Sequence, residues 1–481
     1  MKKIIFVIAS FSLLLFNNSC KDDYLERVPT ASVAESDIFA TVTGVNTVLE
    51  GIHRSTYRFY STHDRFGQKS VDMAVDLMGE DMYQTERGYG WFVSWYQYIE
   101  HRNINSANLE WVWSYYYDII DNANAILANI DKASDVALYT AKVNNIKGQA
   151  LTYRAHSLYN LVQLYADRYV PGGANTHLGV PLPLVPTQDA LPRATVAEVY
   201  AQINSDLDAA IAAFGAASSV SRPSKMEINI NVAKAVKARV ALTIGQYATA
   251  ETMAKEARTG FALTTKYDSG FRDINDTEWI WGADLITEQQ TSYASFFSQM
   301  DPYFGGYATL GNHKLASTTI YDFMSATDVR KSLFVTISGK PRVGKKFTGN
   351  GEWTNDYVFI RSGEMYLIEA EAQARQGKDA DAQTTIFNLV SVRDKNYVKP
   401  TLTGTALIDH ILMQRRCELW GDGQRLFDIK RLNIDMDRKG KGHTESLWSA
   451  AGFFPAGDKN FTFLIPKQEI DANPKMVQNP L

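Results

Sequence analysis

Cysteine is almost absent: the 481 residues hold two, Cys20 and Cys417. A disulfide scaffold is therefore excluded, and the chain must rely on a buried core, for which it is amply long. Histidine is scarce too. The eight, His53, His63, His101, His156, His177, His313, His410 and His443, fall in no HExxH or comparable ligand spacing, so no metal site and no zinc hydrolase is expected. There is no Gly-x-Ser-x-Gly elbow and no phosphate loop, which removes the common signatures of serine hydrolases and nucleotide enzymes. Neither sign of charge dominates. With 49 Lys and Arg against 53 Asp and Glu, the net charge is -4, and a nucleic-acid partner, which needs a basic face, is not expected. Long apolar runs are missing after the first residues, and the one from Ile4 to Phe16 is shorter than the roughly 20 residues a membrane-crossing helix needs.

That run does have a use. Lys2 and Lys3 precede it, and Asn17-Asn18-Ser19-Cys20 follow it, which reads as an export signal over 1–19. Cys20 is expected to carry the lipid, since Ser19 resembles the last position of a lipobox, although Asn17 stands where an aliphatic residue is usual. The alternative is a secreted chain with Cys20 as a spare thiol. Residues 20–37 then form the lipidated cysteine and a tether, polar from Lys21 to Thr30 and broken by Pro29.

Further along, apolar residues recur at helical spacing with Ala at the small positions between them, as close helix packing requires. The segment Val232–Leu242, a turn at Gly245, and Ala248–Ala257 form one such pair. Met365–Arg375, Gly377, and Ala380–Val392 repeat the pattern. Helices are also expected over Trp113–Ile130, Ile146–Leu164, Val196–Phe214 and Ala406–Trp420. The fold class that follows is mainly α, a scaffold of tetratricopeptide-like helical hairpins. Two insertions interrupt it, Asp64–Asn108 and Phe261–Thr354, where the period fades, Gly and aromatics rise, and strand-like runs such as Glu278–Ile286 appear. Insertions held by a rigid scaffold are where a ligand site is expected.

The order of motifs resembles the SusD/RagB family of surface lipoproteins over nearly the whole chain. Arg415-Arg416-Cys417-Glu418-Leu419 with Gly423-Gln424-Arg425-Leu426-Phe427-Asp428-Ile429-Lys430-Arg431 is similar to the family's C-terminal block, with Asp422 where a Glu is usual. The ending Phe463-Leu464-Ile465-Pro466 through Gln478-Asn479-Pro480 matches as well. So do Gly148–Ala155, Gly179–Leu184, and Arg361 leading into Tyr366–Ala372, in the family's order. The resemblance implies an N-terminal region over 38–225 and a C-terminal region over 226–481 in one folded unit. It implies no catalysis and no cofactor, an outer-membrane location facing the exterior, and capture of an oligosaccharide for a SusC-like TonB-dependent barrel. A peptide-uptake lid of RagB type and a protein-binding helical scaffold remain alternatives. The charged residues of the C-terminal block, Arg415, Arg416, Glu418, Arg425 and Asp428, are expected to lock helix junctions as ion pairs.

A sugar binder needs exposed aromatic faces for the C–H side of a pyranose and polar groups for its hydroxyls. The stretch Tyr83–Tyr98 supplies both. Trp91, Trp95, Tyr89 and Tyr98 are the candidate platforms, with Arg87, Asp81 and Asn103 as hydrogen-bonding groups; core packing is the competing reading for each aromatic. The second insertion adds Tyr293, Phe296, Tyr303 and Tyr307, whereas Trp279 and Trp281 read as a buried strand. Asp72, Asp76, Glu80 and Asp81 form an acidic cluster that a glycosidase can use, but a solvated or ligand-binding cluster is the ordinary case and no catalytic residue is assigned.

Overall fold

Eleven helices of eight residues or more carry the fold in the computed structural model, which describes residues 35–448 and 450–481. The leader 1–19, Cys20 and the tether up to residue 34 lie outside the described residues. The helices are α1 (Val42–Ser55), α2 (Gln68–Leu77), α3 (Ala107–Asn129), α4 (Thr140–Tyr165), α5 (Val196–Ala216), α6 (Ile230–Thr243), α7 (Tyr247–Ala257), α8 (Ser362–Arg375), α9 (Asp379–Arg393), α10 (Gly404–Glu418) and α11 (Arg425–Leu432). Among the described residues no helix is long and apolar enough to cross a membrane.

Local chemistry sets the boundaries. Ser106, Thr195 and Asn229 accept backbone N–H groups at the starts of α3, α5 and α6, and Thr195 with Glu198 completes a capping box. Gly245 closes α6 at φ 77°, a left-handed turn that lets α7 fold straight back. The alanines then set the spacing: Ala233, Ala235, Ala238 and Ala241 of α6 and Ala250, Ala254 and Ala257 of α7 are fully buried. Side chains this small let helix axes approach closely. Helix packs on helix through α3, α4, α5, α6, α7 and α8, and α8 in turn receives α9 and α10. The mainly helical class expected from the sequence is what the chain adopts.

The second insertion leaves this array after α7 and returns at α8, which packs on α7. Its ends are tied by β2 (Trp279–Ala283) and β6 (Tyr357–Arg361), paired antiparallel with register shifts between Trp279 and Gly282. Trp279 and Trp281 are buried there, as a strand inside the core requires. A four-stranded sheet, order β1-β3-β5-β4, joins the two insertions: β1 (Met82–Gln84), β3 (Lys314–Ala316), β4 (Phe334–Ile337) and β5 (Lys340–Gly344). Near the C-terminus β7 (Met436–Asp437) pairs with β8 (Phe453–Phe454). One hydrophobic cluster runs from Val42 to Ile465, with a smaller one between α8, α9 and α10.

An ion-pair lattice locks the junction of α8, α9 and α10 with the second insertion. Glu418 is fully buried and accepts from Arg361 Nη1 at 2.6 Å, Arg393 Nη2 at 3.0 Å and Arg330 Nη1 at 3.3 Å. Glu278 shares Arg361 and Arg393, each at 2.7 Å. Burial alone raises the Glu418 carboxyl; the three guanidinium groups outweigh it and hold the group well below the usual carboxylate range. Arg415 pairs with Asp428 at 2.8 Å and Arg425 with Glu80, so the C-terminal block is architectural.

Candidate ligand-binding site

Gln84 at the end of β1 lies opposite Lys314 at the start of β3. The chain after Gln84 and the chain before Lys314 therefore leave the strand pair from the same end, and both carry aromatics. There they meet around His63, from the loop after α1. Its ring lies 5.5 Å from Trp91, 5.7 Å from Tyr307 and 6.4 Å from Tyr293, nearly parallel to the last at 12°. Tyr307 is buried, and its hydroxyl shares a 2.5 Å hydrogen bond with His63 Nδ1. Around this pillar stand Tyr89, 5.2 Å from Tyr307, and Tyr293, 5.4 Å from both Tyr307 and Trp353. Phe304 backs Trp353 at 5.0 Å, and Phe59 lies 6.3 Å from His63.

The cluster is presented to solvent, not closed over. Tyr89 is 65% exposed, Phe59 45% and Tyr293 41%, while Trp91 and Trp353 are half-buried. Its supports are polar. Asp301 is buried and accepts from the backbone N–H of Tyr303 at 2.8 Å and Phe304 at 3.3 Å through one oxygen, and from Gly349 at 2.7 Å through the other. One carboxylate thus ties the Tyr307 loop to the Trp353 loop. Ser298 accepts from Tyr307 N at 3.2 Å through its hydroxyl and from Ala308 N at 2.8 Å through its carbonyl. Gly306 lies so close to it that a Cβ would stand 2.5 Å from Ser298 Cα. Asn312 Nδ2 donates to the Trp91 carbonyl at 3.4 Å, and the buried Trp91 Nε1 has no partner among the described residues. At the edge, the exposed Arg87 donates to Gln97 at 3.5 Å and Glu86 pairs with Lys340 at 2.7 Å. Aromatic faces with ionic groups at the margin suit a flat, hydroxyl-bearing ligand.

Of the seven site residues singled out from the first insertion and its flanks, Tyr89, Trp91 and Arg87 lie here, joined by Tyr293 and Tyr307 of the second insertion; Trp95, Tyr98, Asp81 and Asn103 do not. Trp95 is 3% exposed, packed 5.4 Å from Phe463 and stacked on His101 at 6.4 Å. Tyr98 is buried against Phe454 at 4.6 Å, and its hydroxyl donates to the Met78 carbonyl. Both are core: Phe92 at φ 63° leads into a one-turn helix over Val93–Tyr96 in which Trp95 is buried, and Tyr98, itself at φ 59°, lies beyond its end. Asp81 is buried and held by Arg416 Nε at 2.9 Å, with its carbonyl accepting from Trp420 Nε1 at 3.2 Å. Asn103 is exposed, but its Oδ1 accepts from Asn105 N at 3.1 Å in a local turn. In the second insertion Phe296 is buried and Tyr303 exposed. Sequence reading passed over His63 and Trp353, which no motif marks.

The acidic cluster is also accounted for inside the body. Asp72 pairs with Lys69 at 3.2 Å, Asp76 accepts from the backbone of Gly423, Gln424 and Arg425, and Glu80 binds Arg425. These are buried structural carboxylates, contrary to the solvated or ligand-binding cluster expected. The cavity bounded by Asp76, Asp81, Arg415 and Arg416 measures about 10 Å³, room for about one water.

Residues 23–242 match the family described as "Starch-binding associating with outer membrane", and residues 283–481 match the SusD family. The chain belongs to the SusD/RagB family. No curated protein sequence matches it. Among solved structures it is similar to a SusD superfamily protein from Bacteroides thetaiotaomicron, with 26% identity, 92% of this chain and 100% of that one covered, and a TM-score of 0.78. A SusD-like carbohydrate binding protein from Bacteroides vulgatus shares 24% identity over 91% of this chain and 97% of its own, with a TM-score of 0.80. Surface glycan-binding protein A from Bacteroides uniformis shares 17% over 91% and 99%, with a TM-score of 0.71. At such identities the last two speak for the fold alone. SusD/RagB members are glycan-binding proteins associated with the outer membrane, and the helical array with irregular insertions is their architecture.

Proposed function

We propose that this chain captures oligosaccharides at the outer surface of the outer membrane, anchored through Cys20, and passes them intact to a SusC-like TonB-dependent barrel. The observation that carries the reading is the solvent-facing aromatic cluster of Tyr89, Trp91, Tyr293 and Trp353 around His63. Stacking on such rings favours a sugar face, and the ionic groups of Arg87, Glu86 and Lys340 at the margin bind hydroxyls. Family membership supports the anchor and the barrel partner. An open site recovers little beyond the cost of ordering its ligand, so dissociation constants on the order of micromolar to millimolar follow.

Calorimetric titration with a panel of neutral oligosaccharides tests this. At least one is expected to bind and to be recovered uncleaved. Tyr293→Ala and Trp353→Ala should each weaken it by about 0.5 to 1.5 kcal/mol, the worth of one stacking partner. If no member of the panel binds, or both variants bind at wild-type strength, the platform is not the site. Binding confined to peptides overturns the glycan reading.

A further inference from the structure

Four lysines lie buried in the protein, Lys69, Lys314, Lys346 and Lys430, and three of them have what a buried ammonium needs. Lys69 pairs with Asp72 at 3.2 Å and Lys346 with Asp422 at 3.0 Å. Lys430 donates to the carbonyls of Gln163 and Ala166 at the C-terminal end of α4, where the helix dipole favours a cation. Lys314, the first residue of β3, is the exception. It is 1% exposed, and its ammonium donates to the Asn312 carbonyl at 2.9 Å. None of the ion pairs among the described residues includes it. Burial pushes it down to about 7, with no carboxylate near enough to offset the lost hydration. Glu86, on the adjoining loop, is taken up by Lys340 at 2.7 Å.

The residue facing Lys314 across the strand pair is in the same condition. Gln84 is its partner in register, so both side chains stand on one face of the sheet with Cβ atoms about 5 Å apart. Gln84 is 0% exposed, yet neither its amide nitrogen nor its amide oxygen has a partner among the described residues. The next pair on that face, Met82 and Ala316, is apolar. An ammonium with unspent N–H groups and an amide with none spent are thus buried side by side. Buried polar groups left in this way are rare, and each needs an explanation. A water molecule accepts from both but leaves the charge uncompensated, whereas an anion accepts from both and neutralises it. The enclosure admits a small ion and excludes a sugar carboxylate. Asn312, which accepts from Lys314, also donates to the Trp91 carbonyl at 3.4 Å, so the pair lies where the platform loops leave the strands.

We infer that Lys314 and Gln84 hold between them a small inorganic anion of halide size, at the root of the two loops that carry Trp91 and Tyr307. The full-length protein, crystallised from detergent at pH 6 and soaked in sodium bromide, tests this directly. An anomalous bromine peak is expected in contact with Lys314 Nζ and the Gln84 amide. Melting temperature supplies an independent reading. Sodium bromide and sodium gluconate at equal ionic strength screen surface charge alike, and gluconate is too large for an enclosed site. The Tm difference between the two salts should favour bromide by about 2 °C more in the wild type than in Lys314→Met, which removes the charge. Gln84→Leu should show the same loss, so the comparison stands if Lys314→Met does not fold. Ordered water at Lys314 without a bromine signal means that solvent alone fills the site, and overturns the proposal. A salt difference that is the same in the wild type and in whichever variants fold overturns it too.

Discussion

His53, His101, His156 and His443 sit inside the protein as neutral rings. Burial pushes them down from 6.5 to about 4, 3, 3 and 3 respectively. A histidine with a depressed folded value stabilises fully above its unfolded value and loses that contribution as pH falls towards the folded one. Asp76 and Asp356 act in the opposite sense, raised by burial to about 7 and about 6. Near pH 5 the unfolded chain thus binds about two more protons from these groups than the folded one. Stability should fall by about 3 kcal/mol per pH unit between roughly pH 6 and pH 4. Chemical unfolding at pH 7, 6 and 5 checks this; equal free energies at pH 6 and pH 5 contradict it. Legibility at this scale was uneven. Trp91 and Trp95 are four residues apart and look alike in the sequence, yet the left-handed backbone at Phe92 leaves one half-buried and sends the other into the core. A bulky residue at positive φ has no sequence signature.

Between elements, what was readable follows from local period and capping. The alanine spacing of α6 and α7, and the turn at Gly245, are short-range features, and the hairpin they announce is present. The pairing of β1 with β3, which sets Tyr83 opposite Leu315, joins segments far apart in the chain, and three-residue strands carry too little pattern to declare it. His63 enters the candidate site from the loop after α1, against Trp91 and Tyr307, and Trp353 from within the second insertion, against Tyr293 and Phe304, and no local pattern announces either contact. One element-level prediction follows from the contact of Gly306 with Ser298. Gly306→Val forces a side chain into backbone atoms and should displace the loop bearing Tyr307, at a cost of about 1 to 3 kcal/mol. Oligosaccharide affinity is expected to drop by more than in Tyr293→Ala, because both the pillar and its neighbours move. Unchanged affinity by calorimetry shows that the loop does not set the platform.

The whole molecule divides its labour. Buried guanidinium–carboxylate pairs such as Arg361 and Arg393 with Glu418 and Glu278 hold the array and the second insertion together, and removing one partner leaves a charge that costs several kcal/mol. The aromatic cluster projects from that frame and is free of it. Family membership was legible from motif order in the C-terminal half, because those motifs are the lattice itself. The candidate ligand surface was legible only in part, because it is assembled from both insertions and from the loop that carries His63. A crystal structure of the protein with its tightest-binding oligosaccharide tests this assembly most directly. The account predicts a sugar ring lying on Tyr293, Trp353 or Trp91, with hydroxyls reaching residues of both insertions. A sugar bound elsewhere, with these rings bare, contradicts it.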